Sequence, residues 1–420
     1  MYRLNHLGRV AALGVVVGLA ACEAKDTVLG PTTVGTGDIF HSYVALGNSI
    51  TAGYQSGGIN DSTQRQSYAR LLAVQMRTQY HYASIAGRGC TPPIANGLTG
   101  ALSGTGSTAT TCDLRAGASV TDVLNNVAVP GARVLDPISS STVASNVLTT
   151  LILGGKTQVA KALDAKPTFL SIWIGNNDVL TAGLTGLITP GGPWNAAFGS
   201  PGIVSTEAQF EASYDAMIKQ LTDGAPGVKG VLIGVVQVSG VAALSSGGLI
   251  ASSPQIQAGI NAATGKTVVI HPNCTGSTSL IYVQKLLQLI AAGTHPTTIS
   301  CQPNIAPYAG TAAGFVGDAL VLDPAEQATL TAAINGYNAY IAAKAASIGF
   351  AYFDPNPLLA SLKASGAVPP FPNLASSTAT FGTLFSLDGV HPAAAAHVQL
   401  ANAMIGVINT KYGTSLALVP

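Results

Sequence analysis

Short apolar runs, several closed by glycine or proline, alternate with helix-patterned segments along most of this chain. Tyr43 to Leu46 reads as a first strand, stopped by Gly47. Ser67 to Met76 follows as a helix, with Tyr68, Leu71, Leu72 and Met76 at helical spacing. Tyr80 to Ile85 reads as a second strand and Asn126 to Val129 as a third, which Pro130-Gly131 ends. Residues 143–153 and 157–164 carry helical patterns. Phe169 to Ile174 is a fourth strand, Ala208 to Leu221 a helix, and Val228 to Val236 a fifth strand. That last run is almost continuously apolar, as a strand buried on both faces should be. Pro324 to Ala346 reads as a long helix with Asp323 as its N-cap, Phe350 to Phe353 as a further strand, and Pro392 to Lys411 as a closing helix. Strands that alternate with helices form a parallel sheet covered on both faces, so the expected class is α/β. Between about 239 and 322 the alternation lapses into Gly, Ser, Thr and Pro, and this stretch reads as an insertion.

The N-terminus carries a different signal. Arg3, His6 and Arg9 precede an apolar run, Val10 to Ala21, that is shorter than the roughly 20 residues a membrane helix needs. The run closes Leu19-Ala20-Ala21-Cys22, which resembles a bacterial lipobox, so Cys22 is the expected lipidation site and mature N-terminus. Residues 1–22 are then a signal peptide, 23–38 a Gly/Thr/Pro-rich tether and 39–415 a single domain. The expected location is exported, on a bacterial membrane through the lipid anchor, at its periplasmic or cell-surface face. Cys90, Cys112, Cys274 and Cys301 make an even set, which in an exported chain suggests two disulfides. Three pairings are open, and the local one, Cys90 with Cys112 and Cys274 with Cys301, closes two loops. No C-x-x-C pair or His/Cys cluster suggests zinc. Charged residues are 9%, 19 basic against 18 acidic, so no nucleic acid is expected as a partner.

Four short motifs carry the chemistry. Gly47-Asn48-Ser49-Ile50 follows the first strand, and strand carboxyl ends border the binding crevice of such sheets. Asp388-Gly389-Val390-His391 precedes the last helix. It offers Ser49 a base, His391, and a carboxylate three residues earlier to orient that base. Gly175-Asn176-Asn177-Asp178 follows the fourth strand, where the Asn177 amide is a neutral donor suited to a developing oxyanion. Gly131 ends the third strand and leaves a bare backbone N–H there. His41, His81, His271 and His295 lack a partner motif, His397 reads as structural, and Trp173 as sheet core.

Together these pieces resemble the GDSL or SGNH hydrolase family, over roughly 40–410 less the insertions. Ser49, Gly131, Asn177 and the Asp388–His391 pair match its four blocks in order, while Asn48 stands where the family usually has Asp. The resemblance implies a three-layer α/β/α domain of flavodoxin-like type and a serine ester hydrolase. Ser49, His391 and Asp388 would be the triad, and Ser49, Gly131 and Asn177 the oxyanion hole, with no metal or organic cofactor. The implied substrate is an acyl ester. An acetylated glycan, as for a carbohydrate O-deacetylase, is the first alternative, and an inactive surface binding lipoprotein the second. The 239–322 insertion and Pro190 to Pro201 are expected to shape the substrate pocket, because both follow strands that end at the crevice.

Overall fold

The computed structural model describes residues 39–104, 112, 114–115, 122–139, 146–190, 203–302 and 320–420. The leader, the tether, Cys22, residues 143–145 and residues 191–201 of the expected pocket loop lie outside the described residues. Four parallel strands form the central sheet: β1 (Tyr43–Gly47), β2 (Phe169–Trp173), β3 (Lys229–Ile233) and β4 (Ala351–Phe353), in the order β1-β2-β3-β4. Around them run α1 (Ser49–Ala52), α2 (Tyr68–Gln75), α3 (Gln158–Asp164), α4 (Glu207–Gly224), α5 (Pro324–Ile348), α6 (Asn356–Ala364) and α7 (Ala394–Tyr412).

Alternate residues of a strand face opposite sides of its sheet. Val44, Leu46, Leu170 and Ile172 pack on one side with Val159 of α3, Phe210 and Met217 of α4, and Ile334 and Ile341 of α5. Tyr43, Ala45, Phe169 and Trp173 pack on the other with Leu72 of α2 and Met404 and Ile408 of α7. Both sets are apolar, which is why these strands read as continuous hydrophobic runs, and the result is the three-layer α/β/α fold the sequence implies. α5 starts as expected: Asp323 and Glu326 each bond the other's backbone N–H, and Pro324 occupies the first turn.

Two expected strands, Tyr80 to Ile85 and Asn126 to Val129, are not formed. The segment at 125–129 lies beside β1, with Val127 N donating to Ala45 O and Val129 N to Gly47 O. Its asparagines then take over backbone partners. Asn125 bonds His81 N and Tyr43 O, and Asn126 donates to Thr51 O. Such side-chain bonds compete with a ladder. Pairing shrinks to single bridges of Asn126 with Ala45 and with Tyr82. β3 also stops short of Val236, because Val235 N, Val236 N and Gln237 N donate to the side-chain oxygens of Asn338, Asn176 and Asn356.

The insertion is more than loop. Its described part has an antiparallel three-stranded sheet (Leu244–Ser246, Leu280–Tyr282, Val321–Leu322), helices Pro254–Thr264 and Val283–Ala291, and a core of Ile250, Ile260, Ile281 and Leu286. The cysteines adopt the local pairing, Cys90–Cys112 and Cys274–Cys301. Two disulfides fit folding in an oxidising compartment, in line with export. Among the described residues no helix is long and apolar enough to cross a membrane. The 27-residue separation of Cys274 and Cys301 sets an expected stability effect. Changing both to Ser should lower the unfolding free energy by about 3–4 kcal/mol in the chain-entropy model, read as a lower denaturant midpoint with a slope that stays or steepens as the denatured chain expands. A midpoint that does not move would show that the insertion's own core suffices.

Candidate active site

β1 delivers Ser49 to the carboxyl edge of the sheet through a turn only glycine makes. Gly47 has φ of 154°, and a Cβ there would lie 2.5 Å from both Trp173 O and Thr51 Oγ1. The buried side chain of Gln158 brackets this glycine, accepting from Gly47 N at 2.9 Å and donating to Gly47 O at 3.0 Å. Asn48 caps α1 by accepting from Ile50 N at 3.1 Å. The cap needs only an acceptor oxygen, which Asn supplies as well as Asp. The far end of α1 is fixed where Thr51 bonds the Tyr68 hydroxyl at 2.8 Å.

Asp388 and His391 sit on a tight turn just before α7. His391 Nε2 lies 2.8 Å from Ser49 Oγ, and His391 Nδ1 lies 2.8 Å from Asp388 Oδ2. With Nδ1–H facing the carboxylate, Nε2 is left as the acceptor for the serine hydroxyl. Asp388 Oδ1 accepts from Val390 N and His391 N at 2.9 Å and from Ser386 Oγ at 3.1 Å, and Oδ2 accepts from Gly57 N at 2.7 Å. Burial alone would raise this carboxyl. The His391 charge and hydrogen bonds outweigh it and hold Asp388 down at about 2, so it stays an anion. Gly389, with φ of 69° and the Phe381 ring 2.7 Å from a would-be Cβ, makes the turn tight enough for Asp388 to reach His391. Ser56 and Ser386 lock the neighbouring loops together, through Ser56 N to Ser386 Oγ at 2.8 Å and Leu387 N to Ser56 Oγ at 3.1 Å.

The Asn176-Asn177-Asp178 turn joins three loops. Asn176 Oδ1 accepts from Val236 N at 2.9 Å, Asn177 Nδ2 donates to Ala132 O at 2.9 Å, and Asp178 Oδ2 accepts from Val134 N at 2.9 Å. Gly131 thus reaches the site through its neighbour Ala132; it is buried in its turn and does not line the cleft. Asn177 has a second amide hydrogen beyond the one given to Ala132, and its side chain borders the cleft.

Ser49, Asn177 and His391 open on one cleft. Its wall is mainly aliphatic, supplied by Val238 and Val241 after β3, Leu358, Leu359 and Leu362 of α6, and Leu400 of α7. Trp173 also borders it while staying in the sheet core, only 1% exposed. Of the described insertion only Val241 lines this cleft, so the expected pocket role of the insertion is not what its described body does. Helix α6, absent from the sequence reading, forms that wall instead. Its signal was present as Leu358, Leu359 and Leu362 behind Asp354-Pro355, but follows a short strand closely enough to pass for its exit loop. Gln158, Ser56, Gly57 and Ser386 carried no motif. His397 is fully buried and accepts from Tyr68 N at 3.2 Å, and burial, aided by the His391 charge, pushes it down to about 3. It is a neutral structural group, as expected. No cluster of three or more metal-ligating side chains occurs among the described residues.

A parallel α/β sheet with such a hydroxyl, imidazole and carboxylate at its carboxyl edge defines a hydrolase class that the family comparison specifies. A family model described as GDSL-like Lipase/Acylhydrolase matches residues 43–404, and the chain belongs to that family. Membership makes the protein a hydrolase of the acylhydrolase class. No curated protein matches the chain significantly.

Asp178 gives this site a measurable signature. Burial raises its carboxyl to about 6 despite the bonds from Ser205 and Val134. A folded-state value above the unfolded one means full stability below about pH 4 and a loss as pH rises through about 6, on the order of 2–3 kcal/mol. Asp178→Asn keeps an acceptor for Val134 and a donor for Ser205, so it should remove that loss. Urea midpoints of the two proteins from pH 4 to pH 7 would test this, and parallel curves would refute it.

Proposed function

We propose that the protein hydrolyses carboxylic esters that carry a hydrocarbon chain, through an acyl-enzyme on Ser49. The observation that carries this reading is the His391 imidazole held between Ser49 Oγ and the ionised Asp388, 2.8 Å from each. His391 Nε2 takes the proton as Ser49 Oγ attacks the ester carbonyl. Asp388 stabilises the resulting imidazolium. The negative charge that develops on the carbonyl oxygen meets the Ser49 N–H, which as the first residue of α1 has no intrahelical acceptor, and Asn177 Nδ2, while Gly131, off the cleft wall, supports Asn177 from the adjoining turn. His391 then protonates the departing alcohol. Water next attacks the acyl-enzyme with the same imidazole as base, which restores Ser49 and releases the acid.

The aliphatic cleft favours an acyl ester over an acetylated glycan. Sugar hydroxyls buried against leucine and valine would lose hydrogen bonds to water without replacement. The ready Ser49–His391 contact argues against a protein that only binds.

A fluorophosphonate probe should label wild type and leave Ser49→Ala unlabelled, with ester hydrolysis lost in the variant. Asn177→Ala should keep labelling while kcat drops by roughly 10²–10³. A folded Ser49→Ala that still labels, or an Asn177→Ala change under about threefold, would contradict these roles. Chain length probes the cleft: Leu359→Gln should cut the preference for an octanoyl over an acetyl nitrophenyl ester by roughly tenfold, the effect of losing one buried aliphatic contact surface. An unchanged chain-length profile would place the hydrocarbon elsewhere.

A further inference from the structure

The turn bearing Asp388 and His391 is gripped from two directions. The 54–57 loop holds it on one side through Ser56 and Gly57. The insertion holds it on the other. Ala243 N donates to Gly389 O at 2.8 Å. Gln284, near the start of the Val283–Ala291 helix, is 6% exposed and aims its amide at the same turn. Its Nε2 donates to Leu387 O at 2.7 Å, and also to Gly97 O. Leu387 immediately precedes Asp388, and Gly97 belongs to the loop that the Cys90–Cys112 disulfide closes. Both hydrogens of one buried amide therefore tie the acid-bearing turn to two disulfide-stapled segments.

We infer that Gln284 is a positioning residue for the Asp388–His391 pair, and that the insertion serves to hold this pair in line with Ser49. The inference rests on the triad reading above. Leu387 O is one residue from the carboxylate, so a turn released there moves Asp388, and His391 follows through the 2.8 Å bond between them. Nothing else in the pair's surroundings supplies a side-chain amide to that carbonyl among the bonds described. The body of the insertion stands away from the cleft wall, so its influence reaches the reaction through geometry and not through substrate contact.

Gln284→Met matches the length of the side chain and removes both donors. Gln284→Glu, kept protonated by burial and by the two facing carbonyl oxygens, retains one donor of the two. In the full chain, kcat for an acetyl ester, counted per site titrated to completion with a fluorophosphonate, should fall by roughly 10–100-fold in Gln284→Met, the cost of slight misplacement of catalytic groups. The fall should be smaller in Gln284→Glu, which keeps one of the two hydrogen bonds, with KM within about twofold in both. The downfield proton resonance of the His391–Asp388 hydrogen bond should broaden or shift as well. A merely structural role would lower the melting temperature and leave kcat per titrated site and that resonance unchanged, and this outcome would overturn the inference. If Gln284→Met does not fold, Gln284→Glu carries the same comparison. Ser49→Ala separates the two claims: activity in that variant defeats the triad reading, whereas its loss together with unaffected Gln284 variants defeats only the positioning role.

Discussion

Everything at the carboxyl edge depends on the register of two neighbouring parallel strands. Gly47 at the end of β1 pairs with Trp173 at the end of β2, so the loops that leave them start side by side. Ser49 comes from the first loop and Asn177 from the second. A slip of one residue would turn alternate side chains to the wrong face and separate the two groups. The third participant arrives from the far end of the chain. Ser49 and His391 are 342 positions apart, yet α7 packs on the sheet face that carries Tyr43 and Ala45 of β1, and the turn before α7 comes to rest over Ser49.

The parts of this design that were legible in the sequence share one property: their signal is local. β1, β2, β4, α2, α4, α5 and α7 are apolar runs or periodic segments with their own punctuation, and Ser49, Asn177, Asp388 and His391 sit in short motifs at their ends. What escaped reading depends on partners distant in sequence. Asn125 and Asn126 dissolve a strand only because His81, Tyr43 and Thr51 lie within reach. Asn176, Asn338 and Asn356 shorten β3 from three different elements. The Val283–Ala291 helix is a different kind of miss. Val283, Leu286, Leu287 and Ile290 have clear helical spacing, but the Gly- and Ser-rich surroundings masked it.

Polar side chains inside this fold do the work that charges do in many others. Buried ions are costly unless paired, whereas an amide both donates and accepts and needs only neutral partners. With 9% charged residues, the chain builds its edge from amides. Gln158 holds the turn into α1, Asn126 holds the end of that helix, Asn176 and Asn177 join loops, and Gln284 fastens the acid-bearing turn. Asp178 and Asp388 are the exceptions, and the charge of Asp388 is met by five donors, the His391 imidazole among them.

A scaffold stitched by amides has a consequence for the surroundings it tolerates. Ion pairs on a surface weaken as salt accumulates, because mobile ions screen them over about 8–10 Å at ordinary ionic strength. Neutral amides offer nothing to screen and nothing to titrate. The contacts that align Ser49, Asn177 and His391 are therefore mostly ones that brine and fresh water leave alike.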